Sequence, residues 1–272
     1  MVTHTRRELS ALLTERGLRP RRSLGQNFVV DPNTVRKIAR LAAVGPGDRV
    51  VEIGAGLGSL TLALVETGAY VHALEVDNDL VGPLRDVVEP LGVKVHHVDA
   101  RQADYGEILG GYPGVVVANL PYNIATPLVL HLLESEPLIG RLLVMVQREV
   151  GERWTAQSGE EAFGASSLRV QYFAHGEVVA RVGADVFLPR PRVDSVLVSL
   201  RRRERVRIDP AWVSEADLFF VVRTAFAQRR KMLRRSLAGW ASEGVFERSG
   251  VAGTRRPEEL TLEDFAALAA AQ

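Results

Sequence analysis

Four consecutive residues, Asn119-Leu120-Pro121-Tyr122, carry the groups that would present an exocyclic amino nitrogen of a planar base to a methyl donor. Such a nitrogen is a poor nucleophile because its lone pair is delocalised into the ring. Asn119 offers a side-chain carbonyl and Leu120 a backbone carbonyl. If these two oxygens accept the two N–H groups of the amino nitrogen, that nitrogen becomes more tetrahedral and its lone pair points to the methyl donor. Pro121 restricts this backbone, and Tyr122 offers a ring face for an unstacked base. Catalysis of this kind depends on positioning and needs no strong base.

By itself the tetrapeptide is better explained as a proline turn with a buried tyrosine. A glycine-rich turn upstream, from Glu52 to Gly58, changes that balance. Gly54 and Gly56 lack side chains, so their backbone can approach a ligand closely. Ser59 stands where a dinucleotide-binding turn requires its third glycine, which disfavours NAD or FAD. A Rossmann dehydrogenase is therefore a distant alternative.

Two acidic residues follow the glycine turn at the predicted ends of successive strands. Glu75 ends the second strand, where a carboxylate can accept both hydroxyls of a ribose, and Asp99 ends the third, where it can accept an adenine amino group. Taken alone, each of these acidic residues is better explained as a strand-end cap or turn residue than as a ligand contact. With the glycine turn they favour a site for S-adenosyl-L-methionine, because ligands of doubly wound sheets bind at the carboxyl ends of strands.

The elements that position these residues alternate between strand and helix, as is typical of an α/β fold with a mostly parallel sheet covered on both faces. Asp31-Pro32 reads as a helix start, and Thr5 with Glu8 reads as a capping box. Strands are predicted over 49–53, 70–75, 93–98, 115–118 and 141–147, with helices over 59–67, 79–88 and 127–133.

The pattern changes after residue 200, where helices are predicted over 211–228, 229–240 and 262–270. Thr261 is the expected N-cap of the last helix, with Asp264 three residues on. The predicted organisation is a Rossmann-like methyltransferase domain with an N-terminal helical extension over residues 1–200. A small helical domain is expected over residues 201–272.

The composition of the 272 residues, 46% hydrophobic and 25% charged, is ordinary for a globular protein. The absence of cysteine excludes disulfides and cysteine-ligated metals, and the six histidines lack ligand spacing, so no metal is expected. Apolar runs are too short to span a bilayer, and the first residues lack the apolar segment of a signal peptide. We expect a cytoplasmic protein with no membrane partner.

The net charge of +1 is unevenly distributed. Residues 190–235 carry 13 Lys or Arg against 5 Asp or Glu, and residues 1–28 carry 6 Arg against 2 Glu. Such asymmetry suits a surface that faces phosphates. A solvated charged face balanced elsewhere in the fold explains it equally well.

From Arg21 to about residue 268 the chain resembles the ribosomal RNA adenine N6-dimethyltransferases. The resemblance is carried by Gly25-Gln26-Asn27-Phe28 with Val29 and Asp31, by the Glu52–Gly58 turn, Glu75, Asp99 and Asn119–Tyr122, and by Phe187-Leu188-Pro189-Arg190-Pro191-Arg192-Val193-Asp194-Ser195. Residues 225–237, with 256–258 and 260–265, are similar to the small-subunit branch of the family. The relatives that methylate 23S rRNA usually differ there. Ala55 and Val29 replace a common proline and leucine.

The resemblance implies cofactor contacts at Asn27, Val29, Gly54, Glu75, Asp99 and Asn119. It implies target-adenine contacts at Asn119, Tyr122 and Phe187. The implied product is N6,N6-dimethyladenosine at two neighbouring adenines in the 3′-terminal hairpin loop of small-subunit (16S) rRNA, made during ribosome biogenesis. The implied partner is this RNA within a pre-ribosomal particle, and we expect the enzyme to be a monomer.

Seven basic residues are candidates for RNA phosphate contacts: Arg21, Arg22, Arg229, Arg230, Lys231, Arg234 and Arg235. The last five recur at helical spacing, and a charged solvated helix face is the alternative interpretation. Two other functions compete with the leading one, namely a 23S rRNA methyltransferase that confers antibiotic resistance and a non-catalytic RNA-binding assembly factor. The intact Asn119, Pro121 and Tyr122 argue against the latter.

Overall fold

The computed structural model describes residues 4–21 and 24–272. The chain divides into two compact units, one formed by residues up to 151 together with 177–202, the other by 152–176 together with 203–272. This division differs from the expected boundary after residue 200 in one main respect. Residues 152–176 fall within the methyltransferase domain expected from the sequence, but in the structure they belong to the second unit.

The first unit contains a seven-stranded sheet and a separate two-stranded ribbon. The strands are β1 (Phe28–Val29), β2 (Arg49–Ile53), β3 (Tyr70–Glu75), β4 (Lys94–His97), β5 (Gly114–Asn119), β6 (Ile139–Gln147), β7 (Ala174–Val182), β8 (Phe187–Leu188) and β9 (Ser195–Arg202). The order in the large sheet is β4-β3-β2-β5-β6-β9-β7. The first five of these run parallel, and β9 pairs antiparallel with β6. β1 and β8 form the antiparallel ribbon.

The helices of the first unit connect these strands. They are α1 (Arg6–Glu15), α2 (Pro32–Ala42), α3 (Ser59–Val65), α4 (Asn78–Val88), α5 (Tyr105–Leu109) and α6 (Ala125–Ser135), and α7 (Arg148–Thr155) begins here. The predicted capping box of Thr5 and Glu8 is confirmed at the start of α1. Asp31 caps α2 as predicted, because its side chain accepts the Thr34 N–H at 2.8 Å.

The core of the first unit lies on both faces of the parallel strands. Val50 and Val51 are fully buried although they are neighbours on β2 and so point to opposite faces. The same holds for Val116 and Val117 on β5. Helices therefore cover both sides of the sheet, which explains why these strands read as continuous apolar runs in the sequence.

The second unit is helical. Besides the end of α7 it contains α8 (Ala165–Phe173), α9 (Glu215–Phe226), α10 (Leu233–Ser236), α11 (Glu243–Ser249) and α12 (Leu262–Ala270). Aromatic rings join these helices, with Tyr172 and Phe219 at 5.3 Å and Phe226 and Phe265 at 6.0 Å between centroids. The predicted cap of α12 is confirmed, since Thr261 forms a capping box with Asp264, three residues further along the chain.

One helix prediction in the second unit is wrong. Residues 229–240 do not form a continuous helix, because a turn follows α9 and α10 spans only 233–236. Met232 precedes α10 with an extended backbone (ψ 150°) and offers no side-chain cap. The basic residues of this segment therefore do not share one helical face.

Candidate functional site

A cavity of about 230 Å³ opens at the carboxyl ends of β2, β3 and β5. This is the edge at which ligands bind in open α/β sheets. It is lined by the following residues that the sequence had singled out: Asn27, Val29, Gly54, Gly56, Glu75, Asp99, Asn119, Leu120, Pro121 and Tyr122. The structure thus brings the glycine turn, the acidic strand ends and the tetrapeptide into one site.

The glycine turn has a backbone that other residues would strain. Gly54, Gly56 and Gly58 have φ angles of +74°, +61° and +85°. A Cβ on Gly56 would lie 3.0 Å from the Phe28 ring, and one on Gly58 would lie 2.9 Å from Val88. The turn therefore keeps its backbone close to the cavity only with glycine at these positions, as binding of a nucleoside cofactor requires.

Glu75 holds this turn through its carboxylate. Its Oε2 accepts the Gly56 N–H at 2.8 Å, and its Oε1 accepts the N–H groups of Val76 and Asp77 at 3.0 and 2.8 Å. A carboxylate has about four acceptor positions, so the described contacts leave one on Oε2. One acceptor position therefore remains for a ribose hydroxyl, and the expected contact with both hydroxyls stays a prediction. Burial raises the pKa of Glu75, while the three backbone donors act in the opposite direction.

Asp99 is held by Arg101, two residues further along the chain. Arg101 donates through Nη2 to Oδ2 of Asp99 at 2.7 Å, and its backbone N–H donates to Oδ1 at 2.9 Å. The hydrogen bond from Arg101 lowers the pKa of Asp99, so the carboxylate is ionised and remains an acceptor. Arg101 itself lines the cavity. The sequence did not identify it as a site residue, because an arginine just after a strand looks like any other surface arginine.

Asn119 ends β5 with its side-chain amide in a defined orientation. The amide nitrogen donates to the backbone carbonyl of Asn27 at 2.8 Å, which leaves the amide oxygen to accept a hydrogen bond from a ligand. The next residue is fixed to the neighbouring strand, since the Leu120 N–H donates to the carbonyl of Met145 at 3.1 Å. The two carbonyl acceptors proposed from the sequence therefore stand on rigid backbone.

Tyr122 is anchored at its hydroxyl end. Its Oη atom lies 3.3 Å from Oγ of Ser195, the first residue of β9, which is 1% exposed. Because the hydroxyl is tethered, the ring has a fixed position at the cavity wall. Ser195 is the last residue of the 187–195 stretch that carries the family resemblance, but nothing in the sequence identifies it as the partner of this tyrosine.

Phe187 lies in the hydrophobic core and pairs with a residue of the cavity wall. It is 1% exposed, packs in the main hydrophobic core and is absent from the cavity wall. The register of the β1–β8 ribbon explains this, since Phe187 pairs with Val29. In this structure Phe187 supports a residue of the cavity wall, and its contact with the target adenine stays a prediction.

A buried carboxyl group beneath the glycine turn was not singled out as a functional residue. Glu52 lines the cavity and is 2% exposed. Among the described residues none is hydrogen-bonded to its Oε2 atom. Burial, with a smaller contribution from the charge of Glu75, raises the pKa of Glu52 to about 8 against the opposing hydrogen bonds of Thr61. The group is therefore a neutral acid over most of the physiological pH range.

The basic residues predicted to contact RNA fall into three groups. Arg21 pairs with Asp77 at 2.9 Å and also with Asp79, so its charge is partly neutralised at the cavity rim. Arg22 lies outside the described residues. The five residues of the second unit, Arg229, Arg230, Lys231, Arg234 and Arg235, are exposed. Arg229 donates to the carbonyl of Glu161 at 2.7 Å. Their role in RNA binding stays a prediction.

In the described part of the chain no three or more His, Cys, Asp or Glu side chains are placed to hold a metal ion. His72 and His96 do meet on neighbouring strands, with Nδ1 and Nε2 3.1 Å apart, but as a pair. Within the same residues, no helix is both long enough and apolar enough to cross a bilayer.

The sequence profile of the ribosomal RNA adenine dimethylase family matches residues 17–271, nearly the whole chain. The chain belongs to this family. The ribosomal RNA small subunit methyltransferase A of Streptomyces coelicolor is 46% identical over 275 aligned positions, which cover 97% of this chain and 93% of the relative. Membership in the dimethylase family confirms that the protein is an rRNA adenine dimethyltransferase and that its methyl donor is S-adenosyl-L-methionine.

Two solved structures of dimethylase-like proteins are similar in fold. A dimethyladenosine transferase from Plasmodium falciparum superposes with a TM-score of 0.73 at 24% identity, covering 88% of this chain and 94% of its own. The 23S rRNA methyltransferase ErmE superposes with a TM-score of 0.70 at 26% identity, covering 89% of this chain and 98% of its own. These similarities confirm the predicted Rossmann-like α/β methyltransferase fold.

Proposed function

We propose that this dimethylase converts two adjacent adenosines in the 3′-terminal hairpin loop of small-subunit (16S) rRNA to N6,N6-dimethyladenosine during ribosome biogenesis. For the chemistry, the proposal rests on the orientation of Asn119, whose amide nitrogen is used by Asn27 and whose oxygen is left for the substrate. For the choice of RNA, it rests on similarity. The small-subunit methyltransferase of S. coelicolor is 46% identical, whereas the 23S rRNA methyltransferase ErmE is 26% identical.

The cavity residues position the nitrogen for attack. Oδ1 of Asn119 and the carbonyl oxygen of Leu120 accept the two N6–H groups, which turns the lone pair away from the ring plane. The ring of Tyr122 supports the extruded adenine by stacking. S-adenosyl-L-methionine supplies a methyl group on a positively charged sulfur. Once N6 has accepted the methyl group it carries a positive charge, and its N–H is strongly acidic. Water can therefore take this proton, and no strong base is required.

The residues proposed to contact the cofactor are those of the cavity wall: Asn27, Val29, Gly54, Gly56, Glu75, Asp99 and Asn119. This cavity fits a nucleoside cofactor because the glycine turn presents bare backbone beside buried carboxyl groups. Asp99 is the ionised acceptor proposed for the adenine amino group of the cofactor. Glu75 can offer its remaining Oε2 position to a ribose hydroxyl.

The RNA partner is proposed to be bound as part of a pre-ribosomal particle by a monomeric enzyme in the cytoplasm, with no metal involved. The exposed basic residues of the second unit support phosphate binding, because guanidinium and ammonium groups there face solvent. Arg21 is a weaker candidate since two carboxylates already bind it.

Methyl transfer from labelled S-adenosylmethionine to unmethylated small and large ribosomal subunits tests the proposal, with nucleoside mass spectrometry of the product. We expect dimethyladenosine in small-subunit RNA and no label in large-subunit RNA. Label confined to the large subunit would assign the enzyme to the 23S rRNA branch. Cofactor binding without transfer to either subunit would contradict the proposal and favour an assembly role.

A further inference from the structure

Residues 189–194 connect β8 to β9, and both ends of this segment are fixed beside the cavity. At one end Leu188 pairs with Phe28, a residue of the cavity wall. At the other end Ser195 lies 3.3 Å from the hydroxyl of Tyr122. The segment therefore runs past the side of the cavity at which the target base is proposed to stack.

Two arginines of this segment, Arg190 and Arg192, are exposed. In residues 4–21 and 24–272, neither guanidinium has a carboxylate within ion-pair distance. The other arginines at the cavity differ in this respect, since Arg21 is bound to Asp77 and Arg101 to Asp99. Two guanidinium groups without an ion-pair partner thus lie beside the cavity, whereas Arg21 and Arg101 are already paired.

A third cation reinforces this surface. Arg6 donates through Nη2 to the backbone carbonyls of Asp185 and Phe187, at 2.7 and 3.3 Å. These acceptors are neutral, so the contact adds positive charge next to β8 without cancelling it. Asp194, the last residue of the segment, keeps its negative charge, and its Oδ1 accepts the N–H of Ala184 at 3.1 Å. With two arginines against this one aspartate, residues 189–194 carry a net charge of +1.

The backbone of the segment is restricted before any ligand arrives. Pro189 and Pro191 flank Arg190, and proline limits its own φ and the conformation of the residue before it. Less conformational entropy is therefore lost when the arginines bind a ligand. Guanidinium groups match the geometry of phosphate oxygens, which they can bind with two parallel hydrogen bonds.

We propose that residues 189–194 form a phosphate clamp, in which Arg190 and Arg192 bind the phosphodiester groups that flank the target adenosine. The inference rests on the proposed function, because it takes the ligand to be RNA with one base extruded toward Tyr122. Extrusion requires the backbone beside the base to be held, and phosphate contacts supply this without reading sequence.

The test compares Arg190→Gln/Arg192→Gln with a control, Arg36→Gln/Arg40→Gln, which removes the same charge from exposed positions of α2. Binding to unmethylated small-subunit RNA is measured over a series of salt concentrations, together with binding of S-adenosylhomocysteine. For two lost phosphate contacts on a single strand, the slope of log affinity against log salt falls by about 1.4. RNA binding at low salt weakens by roughly tenfold or more, whereas cofactor binding and the control do not change.

An unchanged slope and affinity in the clamp variant would overturn the clamp while leaving the proposed function intact, provided that the wild-type enzyme methylates this RNA. An equal loss in the control would also overturn it, since the effect would then be one of net charge. If the wild-type enzyme binds cofactor but neither binds nor methylates small-subunit RNA, whether free or in unmethylated small subunits, the proposed function and the clamp both fail.

Discussion

The side-chain amide of Asn119 donates to the backbone carbonyl of Asn27 at 2.8 Å. This hydrogen bond joins the catalytic loop after β5 to the segment that precedes β1. Because the amide nitrogen is used in this way, the amide oxygen is the group left for the substrate. One bond thus couples the position of the segment proposed to contact the cofactor to the orientation of the amide oxygen proposed to accept the target N–H.

Asn119→Ala is expected to abolish most methyl transfer, with a loss of about a hundred- to a thousandfold in kcat, since removing a preorganised polar group at the reacting centre costs about 10²–10³. Cofactor affinity should change only a few fold because the other cavity residues remain. Single-turnover transfer and calorimetric binding of S-adenosylhomocysteine measure the two effects. Asn33→Ala, at an exposed position of α2 away from the cavity wall, is the matched control and should retain turnover. Near-normal turnover in Asn119→Ala would refute the proposed chemistry.

Tyr122→Ala is expected to raise the KM for RNA by about ten- to a hundredfold, because stacking on an aromatic ring contributes about 1–3 kcal/mol per base. Tyr122→Phe keeps the ring and loses only the contact with Ser195, so its KM should rise no more than a few fold. Steady-state kinetics of both variants separate the two contributions. Equal defects in both would show that the hydroxyl, and not the ring face, is the important group.

The buried Glu52 predicts a dependence of stability on pH. Its pKa is raised from 4.5 to about 8 in the folded state, so folding is favoured while the group is protonated. The stability it contributes is complete below pH 4.5 and is lost as the pH rises to about 8. The loss is of the order of a few kcal/mol. Denaturation midpoints of Glu52→Gln should therefore fall less over this range than those of the wild type. Parallel curves would contradict the assignment.

Reversing the charge of Arg229, Arg230 and Arg234 to Glu is expected to weaken RNA binding and leave cofactor binding unchanged. Removal of three phosphate contacts lowers the slope of log affinity against log salt by about 2 for a single strand. The matched control reverses Arg36, Lys37 and Arg181, which are exposed positions of the first unit. Activity on ribosomal particles that stays unchanged across salt concentrations would show that these residues form only a solvated surface.

The sequence predicted β2 and β3 with the observed bounds because buried parallel strands are apolar runs whose limits are marked by charged or glycine residues. The last helix was equally clear because Thr261 caps it. Within the site, the glycine turn and the strand-end acids were found from their order along the chain. What sequence patterns could not show was side-chain direction, as in the three backbone contacts of Glu75.

Long-range pairing is the other feature that the sequence does not reveal. The burial of Phe187 follows from its pairing with Val29, and two-residue strands so far apart in the chain leave no periodic pattern. The assignment of residues 152–176 to the second unit has the same origin. The interrupted helix after α9 escaped prediction because Arg and Lys are good helix formers, and neither proline nor glycine marks the turn.

The β1–β8 ribbon has a consequence for the order in which the active enzyme is made. All residues of the cavity wall lie between positions 24 and 124, so the ribosome has synthesised every one of them before it reaches β8. The backbone partners of Phe28 and Val29 are added only later, when residues 187 and 188 emerge. A nascent chain therefore carries every residue of the cavity wall before it contains the strand that pairs with Phe28 and Val29, so this part of the wall is completed late in translation.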